Sequence, residues 1–335
     1  MMLTTNLRKW IGLGVCLILL TGALSLGLLM GRTLINPNFM ISSLFHYDAQ
    51  NVEHVLIHTE RLPRTVIAAV VGASLAMAGA FMQALTRNPL ASPSTFGINA
   101  GALFFVSIAS VAFSVESMMS LMGFALIGAG LAAVLVYVIG SLGRDGLTPV
   151  KIVLSGSAIH ALFMSMIQII LVMNETGMQN VLFWMAGSVS GRSLEMLQPL
   201  FPFMLVAGIS AMFMGRAVNL LVTGEDVAKG LGQNILWVKC AMGLIIVVLA
   251  GCSVAIAGAI GFVGLIIPHV ARALVGADYR WITPFSAVLG ALLLVSADTA
   301  ARVLISPQEI PIGVITALIG VPFFVYIARK EVAWK

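Results

Sequence analysis

Ten apolar stretches follow one another along this chain, at about residues 11–31, 61–82, 95–114, 118–140, 150–173, 195–214, 238–258, 262–277, 282–302 and 311–329, with little sequence between most of them. A helix needs about 20 residues to cross a hydrocarbon core about 30 Å thick, and most of these runs have that length. In lipid a segment must satisfy its own backbone polar groups, which single apolar runs do as helices. The expected fold is therefore an all-α polytopic membrane protein of about ten transmembrane helices. Of the 335 residues only 9% are charged and 60% are hydrophobic, against roughly 25% charged in a soluble domain. No stretch remains for a sizeable soluble domain, so residues 1–335 read as a single transmembrane domain. The eighth run is short and holds Pro268, which predicts a broken or tilted helix. The first follows Arg8 and Lys9, is too long for a typical signal-peptide core and precedes many further runs, so it reads as an uncleaved helix.

The formal charge of +5 comes from basic residues placed singly between apolar runs. That pattern forms no patch for nucleic acid and reads as a topology signal. An even number of spans puts both termini on one side. With that side cytoplasmic, thirteen basic residues lie inside (Arg8, Lys9, Arg87, Arg144, Lys151, Arg216, Lys229, Lys239, Arg272, Arg280, Arg329, Lys330 and Lys335) and five outside (Arg32, Arg61, Arg64, Arg192 and Arg302). This is the bias expected of the cytoplasmic membrane, with both termini cytoplasmic.

Two connections are long. The outer stretch 32–60 is polar and carries His46, Asp48, Glu53, His54, His58 and Glu60. The inner stretch 215–237 is too charged for a span but has amphipathic helical segments, as expected of a surface element that another protein grips. The chain also repeats itself. Ser-Leu-Ala-Met-Ala-Gly-Ala at 74–80 matches Ser-Val-Ala-Ile-Ala-Gly-Ala at 253–259, and a proline follows each glycine by ten residues, Pro89 after Gly79 and Pro268 after Gly258. The copies run in opposite senses through the expected topology, which points to an inverted repeat. Chance similarity between two Ala/Gly-rich helices is the competing explanation. Small residues let helices approach closely in either case, as does Gly97-x-x-x-Gly101.

No catalytic constellation is visible. A phosphate loop of the form G-x-x-x-x-G-K-[ST] is absent, so ATP hydrolysis is not expected on this chain, and neither H-E-x-x-H nor G-x-S-x-G occurs. Cys16, Cys240 and Cys252 read as small core residues, and no metal site or cofactor is expected. His160 and His269 read as hydrogen-bonded structural residues. Arg61 and Arg64 open the second span and Arg302 ends the ninth, all on the side that disfavours positive charge. They are either anchors and local ion pairs, such as Asp298 with Arg302 at i and i+4, or a cationic ring that receives acidic side chains of an extracytoplasmic partner. The proline-braced loop Arg87-Asn88-Pro89-Leu90-Ala91-Ser92-Pro93, and the loop 143–150, read as plain connectors or as gate elements at the cytoplasmic mouth.

With these motifs in view, the chain resembles the FecCD-type permeases, the membrane subunits of ABC importers for iron–siderophore complexes, haem and cobalamin. The resemblance covers nearly the full length. It rests on Arg61-Leu-Pro-Arg64; Gly79 with Gln83; Arg87-Asn-Pro-Leu-Ala91 with Pro93; Trp184-Met185-x-Gly187; Gly258-Ala-Ile-Gly-Phe-Val-Gly-Leu-Ile-Ile-Pro-His269 with Arg272; Asp298 to Arg302; and Glu309-Ile-Pro-Ile-Gly-Val-Ile-Thr316. It implies the type II importer permease architecture, ten helices per subunit, with two permease subunits, as homodimer or heterodimer, forming the pathway between them. It further implies two ATP-binding subunits inside, a substrate-binding protein outside and an iron-chelate cargo. Arg61, Arg64 and Arg302 would dock the binding protein. Gly224, Glu225, Asp226, Val227, Ala228, Leu231 and Gly232 would couple to the ATPase, and Asn88, Leu90, Leu147 and Thr148 would form the cytoplasmic gate. Pro149 after Thr148 departs from the hydroxyl-rich gate loop of the cobalamin permease. Ferric siderophore is thus the expected cargo, with haem and cobalamin as alternatives. An ion-coupled secondary transporter is the rival class, but it usually places an acidic residue near the bilayer midplane, and Glu195 and Asp298 lie near run ends.

Overall fold

The computed structural model describes residues 3–31, 33–142, 148–173, 181–182, 184–304 and 309–332. Regular structure among these residues is helical throughout. The ten apolar runs correspond to α1 (Asn6–Leu29), α2 (Leu62–Thr86), α3 (Ile98–Ala112), α4 (Met118–Ser141), α5 (Pro149–Met173), α6 (Phe201–Phe213), α7 (Ile235–Ala257), α8 (Val263–Val275), α9 (Tyr279–Leu304) and α10 (Ile312–Val332). By length and composition, six of the described helices suffice to cross a membrane, namely α1, α2 with its extension back to Val52, α4, α5, α7 and α9. The others are short or bent for visible reasons. α6 continues through a 56° bend into the helix Gly215–Thr223, because the polar stretch 215–237 begins there. α8 has 13 residues with Pro268 inside, about 20 Å of helix against a core of about 30 Å.

α2 is the centre of the bundle. Its most apolar window is 78% buried, against 11% for α1 and 22% for α5, which leave most of their surface outward. α7, α8 and α9 pack around α2. Small residues make this possible. A methyl group added at Gly79 would overlap the backbone of Gly264 in α8, and one at Gly72 would overlap that of Gly290 in α9. Gly101 of α3 and Gly128 of α4 meet in the same way, whereas Gly97 lies before α3 at φ +68°. The two copies of the repeated heptad differ locally. Residues 74–80 lie inside α2, while 253–259 run off the end of α7, where Gly258 turns to φ +74°.

The long stretch between α1 and α2 is not a plain loop. It forms helices Pro37–Phe45 and Val52–Leu56, joined by histidines. His54 meets the Ser42 hydroxyl at 2.9 Å and accepts the Asp48 N–H at 3.1 Å, and His58 lies 2.9 Å from the Ser43 carbonyl. Cys16 and Cys252 are core residues as expected, but Cys240 is exposed. It shares one outward stripe of α7 with the exposed Leu236 and Leu244, four residues either side. His269 lies edge-on to Phe323, while the buried Nδ1 of His160 has no hydrogen-bond partner among the described residues, against the expectation.

Candidate functional site

α2 and α9 lie antiparallel, and each end of the pair carries a polar cluster. At the first end a π-helical turn, Ile57–Arg61, leads into α2. Helix α1 stops nearby and leaves carbonyls without intrahelical partners. Arg61 supplies the donors: Nη1 bonds the carbonyls of Leu28 (2.8 Å) and Leu29 (2.7 Å), and Nη2 bonds that of Thr33 (2.5 Å). Its side chain is therefore buried as the cap of α1. Arg61→Ala is expected to cost about 1–3 kcal/mol by removing the side-chain donor from the Leu28 and Thr33 carbonyls and leaving that of Leu29 with the Ile35 N–H, read as a lowered melting temperature in detergent.

One turn on, Arg64 Nε donates to Asp298 Oδ1 at 2.8 Å, and its Nη1 donates to Glu309 Oε2 at 2.8 Å. Ser190 completes the arrangement, donating to Glu309 Oε2 at 2.9 Å and accepting from Arg64 Nη1 at 3.4 Å. Arg302 reaches Asp298 Oδ2 at 3.0 Å. Arg64 and Arg302 are 2% and 4% exposed, and Asp298 is fully buried. Two arginines thus face two carboxylates, so the cluster is formally neutral. Arg192, a further buried arginine, sits over the Trp184 ring at 5.2 Å. The local ion pair of Asp298 with Arg302 is present, but these arginines point into the subunit and not along its surface as anchors. Arg61 belongs to the neighbouring cap of α1. Ser190 and Glu309 carried no assigned role in the sequence. The available signal was the alternation of spans, which puts Glu309, just ahead of α10, on the face that carries Arg64.

Beside this cluster three segments, around Trp184–Ser188, Ala257–Ala259 and the start of α10, are knit by their backbones. Ala259 N–H bonds the Trp184 carbonyl (2.9 Å), Ser188 N–H bonds that of Ala257 (2.8 Å), and Gly313 N–H bonds that of Gly187 (3.2 Å). A methyl on Gly258 would overlap the Trp184 carbonyl, which accounts for glycine there. An apolar groove of about 630 Å³ opens alongside, lined by Met185, Ala259, Phe262, Val314, Leu318 and Pro322 among others.

At the other end α2 terminates on Arg87, left-handed at φ 48°. Arg87 Nη2 donates to the Leu221 carbonyl at 3.1 Å and lies 3.8 Å from Glu225. Glu225 is also paired with Lys239 of α7 at 2.9 Å. Gly224, at φ +139°, separates the helix Gly215–Thr223 from the helix Glu225–Gly230, which begins with Glu225 and Asp226 and buries Ala228. Val227 and Leu231 are more than half exposed, and Gly232 turns the chain at φ +80°. The segment thus presents an apolar knob outward while Glu225, one of its two acidic residues, is tied to α2 and α7. Asn88 accepts the Leu90 N–H on its own side chain at 2.9 Å, a tight turn that follows Arg87 directly. Among the described residues Thr148 engages the start of α5, accepting from Lys151 and Ile152, and Leu147 lies outside the described residues.

A further contact at this end joins Asn219 to Asp278, 59 residues apart, with Asn219 Nδ2 donating to Asp278 Oδ1 at 2.6 Å. Tyr279 N–H donates back to Asn219 Oδ1 at 2.8 Å. Partial burial pushes the Asp278 carboxyl up, but hydrogen bonds from Arg280 and Asn219 outweigh it and hold the group down to about 2. Its stabilising contribution is therefore complete above the ordinary carboxylate range and is lost as pH falls through about 2. Asp278→Asn is expected to melt below the parent at pH 7 and to converge on it as pH approaches 2.

The sequence profile of the family described as "FecCD transport family" matches residues 17–330. Over 323 residues the chain is 53% identical to the "Probable siderophore transport system permease protein YfiZ" of Bacillus subtilis, covering 96% of each. It is 48% identical over 318 residues to the iron(3+)-hydroxamate import system permease protein FhuB of the same organism, covering 95% of this chain and 82% of that one. Among solved structures it superimposes with a TM-score of 0.84, at 30% identity and covering 95% of this chain and 98% of the other, on an inward-facing structure described as of the metal-chelate ABC transporter type.

Proposed function

The chain belongs to the FecCD transport family, and on that premise we propose that it is the membrane-embedded permease subunit of an ATP-driven importer that carries ferric siderophores across the cytoplasmic membrane. The observation that carries this reading is the near-full-length similarity, at 53% identity, to a siderophore permease protein. The Arg87 end faces the cytoplasm, as do both termini, because thirteen of the basic residues then lie inside.

A second permease subunit, identical or related, completes the pathway. The apolar groove along α10 suits one face of it, since a weakly polar wall lets a bulky chelate leave as readily as it enters. Two ATP-binding subunits grip the segment 215–237, with Val227 and Leu231 as the exposed contacts. A substrate-binding protein docks at the Arg64 end. Because Arg61, Arg64 and Arg302 are engaged within the subunit, an incoming carboxylate would displace Glu309, 17% exposed, from Arg64. Asn88, Leu90 and the start of α5 at Thr148 form the cytoplasmic gate. ATP binding closes the motor dimer and favours one of two permease states. The free energy thus comes from that differential stabilisation and needs no cofactor or chemistry on this chain.

Proteoliposomes holding permease, ATPase and binding protein are expected to accumulate a radiolabelled ferric hydroxamate only with ATP inside and all subunits present. Accumulation driven by an ion gradient without the ATPase would overturn the assignment. Leu231→Asp is expected to lose the ATPase subunit on co-purification, since it puts a charge into the apolar knob.

A further inference from the structure

We infer that Asn219 is a positioning residue that latches the ATPase-gripping segment to the start of α9, so that this segment and the α2–α9 pair move as one body. The inference rests on the reading of 215–237 as the ATPase contact.

The latch has two points. Asn219 donates through Nδ2 to Asp278 and accepts through Oδ1 from the Tyr279 backbone. A side chain with one donor and one acceptor in a plane is needed for both bonds, which fixes its orientation as well as its distance. Asp278 is also the start of α9, since its carbonyl accepts the N–H groups of Trp281 and Ile282 and its carboxylate accepts that of Arg280. The bond from Asn219 therefore reaches the helix itself and not a loose loop. Gly215, one turn earlier on the same face, lies against the Arg280 backbone, where a methyl group would come within 2.9 Å of its nitrogen. Two successive turns of the helix Gly215–Thr223 are thus seated on the first turn of α9.

A second tether runs to the neighbouring helix, from Arg87 at the end of α2 to the Leu221 carbonyl. The two helices so gripped are themselves joined midway by the mutual approach of Gly72 and Gly290. Their far ends are joined by Arg64, Asp298 and Arg302. A push on the segment 215–237 is then delivered along α9, about 40 Å at 1.5 Å per residue for its 26 residues, to the cluster proposed to meet the binding protein.

The test uses the complete transporter in proteoliposomes and reads ferric hydroxamate imported per ATP hydrolysed. Asn219→Asp keeps the bond to Tyr279 but sets a carboxylate against Asp278. It is expected to lower that ratio about tenfold. Combining it with Asp278→Asn restores a donor facing an acceptor and is expected to bring the ratio back to within about twofold of the parent. Recovery in the double variant also shows that the single one was not merely misfolded. An unchanged ratio in Asn219→Asp, or a double variant no better than the single one, would overturn the latch. If Leu231→Asp retains the ATPase subunit, the underlying contact reading has failed. If it loses the ATPase while Asn219→Asp keeps the parent ratio, only the latch has failed.

Discussion

Truncating Asp298 to alanine is expected to lower the stability of the permease by about 3–5 kcal/mol, the usual cost of removing one partner from a buried ion cluster. Asp298 is fully buried and pairs with both Arg64 and Arg302. Its loss leaves Arg64 with Glu309 and Ser190 but takes from the buried Arg302 the carboxylate it pairs with, leaving its bond to the residue 298 carbonyl. Asp298→Asn should cost less, because an amide oxygen still accepts from Arg64 Nε. Thermal unfolding in detergent, followed by loss of monodisperse protein, separates the three forms. Alanine as stable as the parent would mean the cluster is not a structural joint. The same series divides two roles for the arginines. A joint predicts that Arg302→Ala loses stability and uptake together. A docking contact alone predicts lost uptake in a protein that melts like the parent.

The helices were legible because lipid imposes a length and leaves no freedom over backbone hydrogen bonding. The ten apolar runs correspond to α1–α10, but the break or tilt expected at Pro268 in the eighth run is not a break: α8 is a short continuous helix with Pro268 inside it. The bend after α6 was marked by the change from apolar to charged residues at Gly215 and Arg216. The polar joints were less legible. Asp298 and Arg302 are four residues apart on one helix, so their pairing follows from helical spacing. Arg64 and Glu309 are 245 residues apart, and only the arrangement of whole helices brings them together. Asn219 and Asp278 gave less signal still, since short polar residues near helix ends occur wherever a chain turns. Cys240 shows the opposite error. Apolar context suggests burial in water, but in lipid an apolar context is also what an outward face looks like.

Gly290→Leu is expected to remove most folded permease from the membrane, because it attacks the packing that holds the polar joints in register. Without a hydrophobic drive between helices in lipid, α2 and α9 are held by close van der Waals contact, which small residues permit. At Gly290 an added Cβ would overlap the Gly72 carbonyl and lie 2.5 Å from the Ala76 side chain. Neither neighbour can yield, one being backbone and the other a methyl on a buried helix. Only separation of the helices relieves the clash, and Asp298 sits eight residues along, about 12 Å by helical rise. Overpacking of this kind costs about 3 kcal/mol, and moving α9 also lengthens the bonds of Asp298 to Arg64. Gly14→Leu is the control, since a Cβ added there meets nothing within 4 Å. Both substitutions replace glycine by a better helix former in a transmembrane helix, so propensity cannot separate them. Quantifying each in isolated membranes should show Gly14→Leu near the parent level and Gly290→Leu far below it. Equal accumulation of the two would mean that α2 and α9 can part without cost, and the two helices could not then act as one strut.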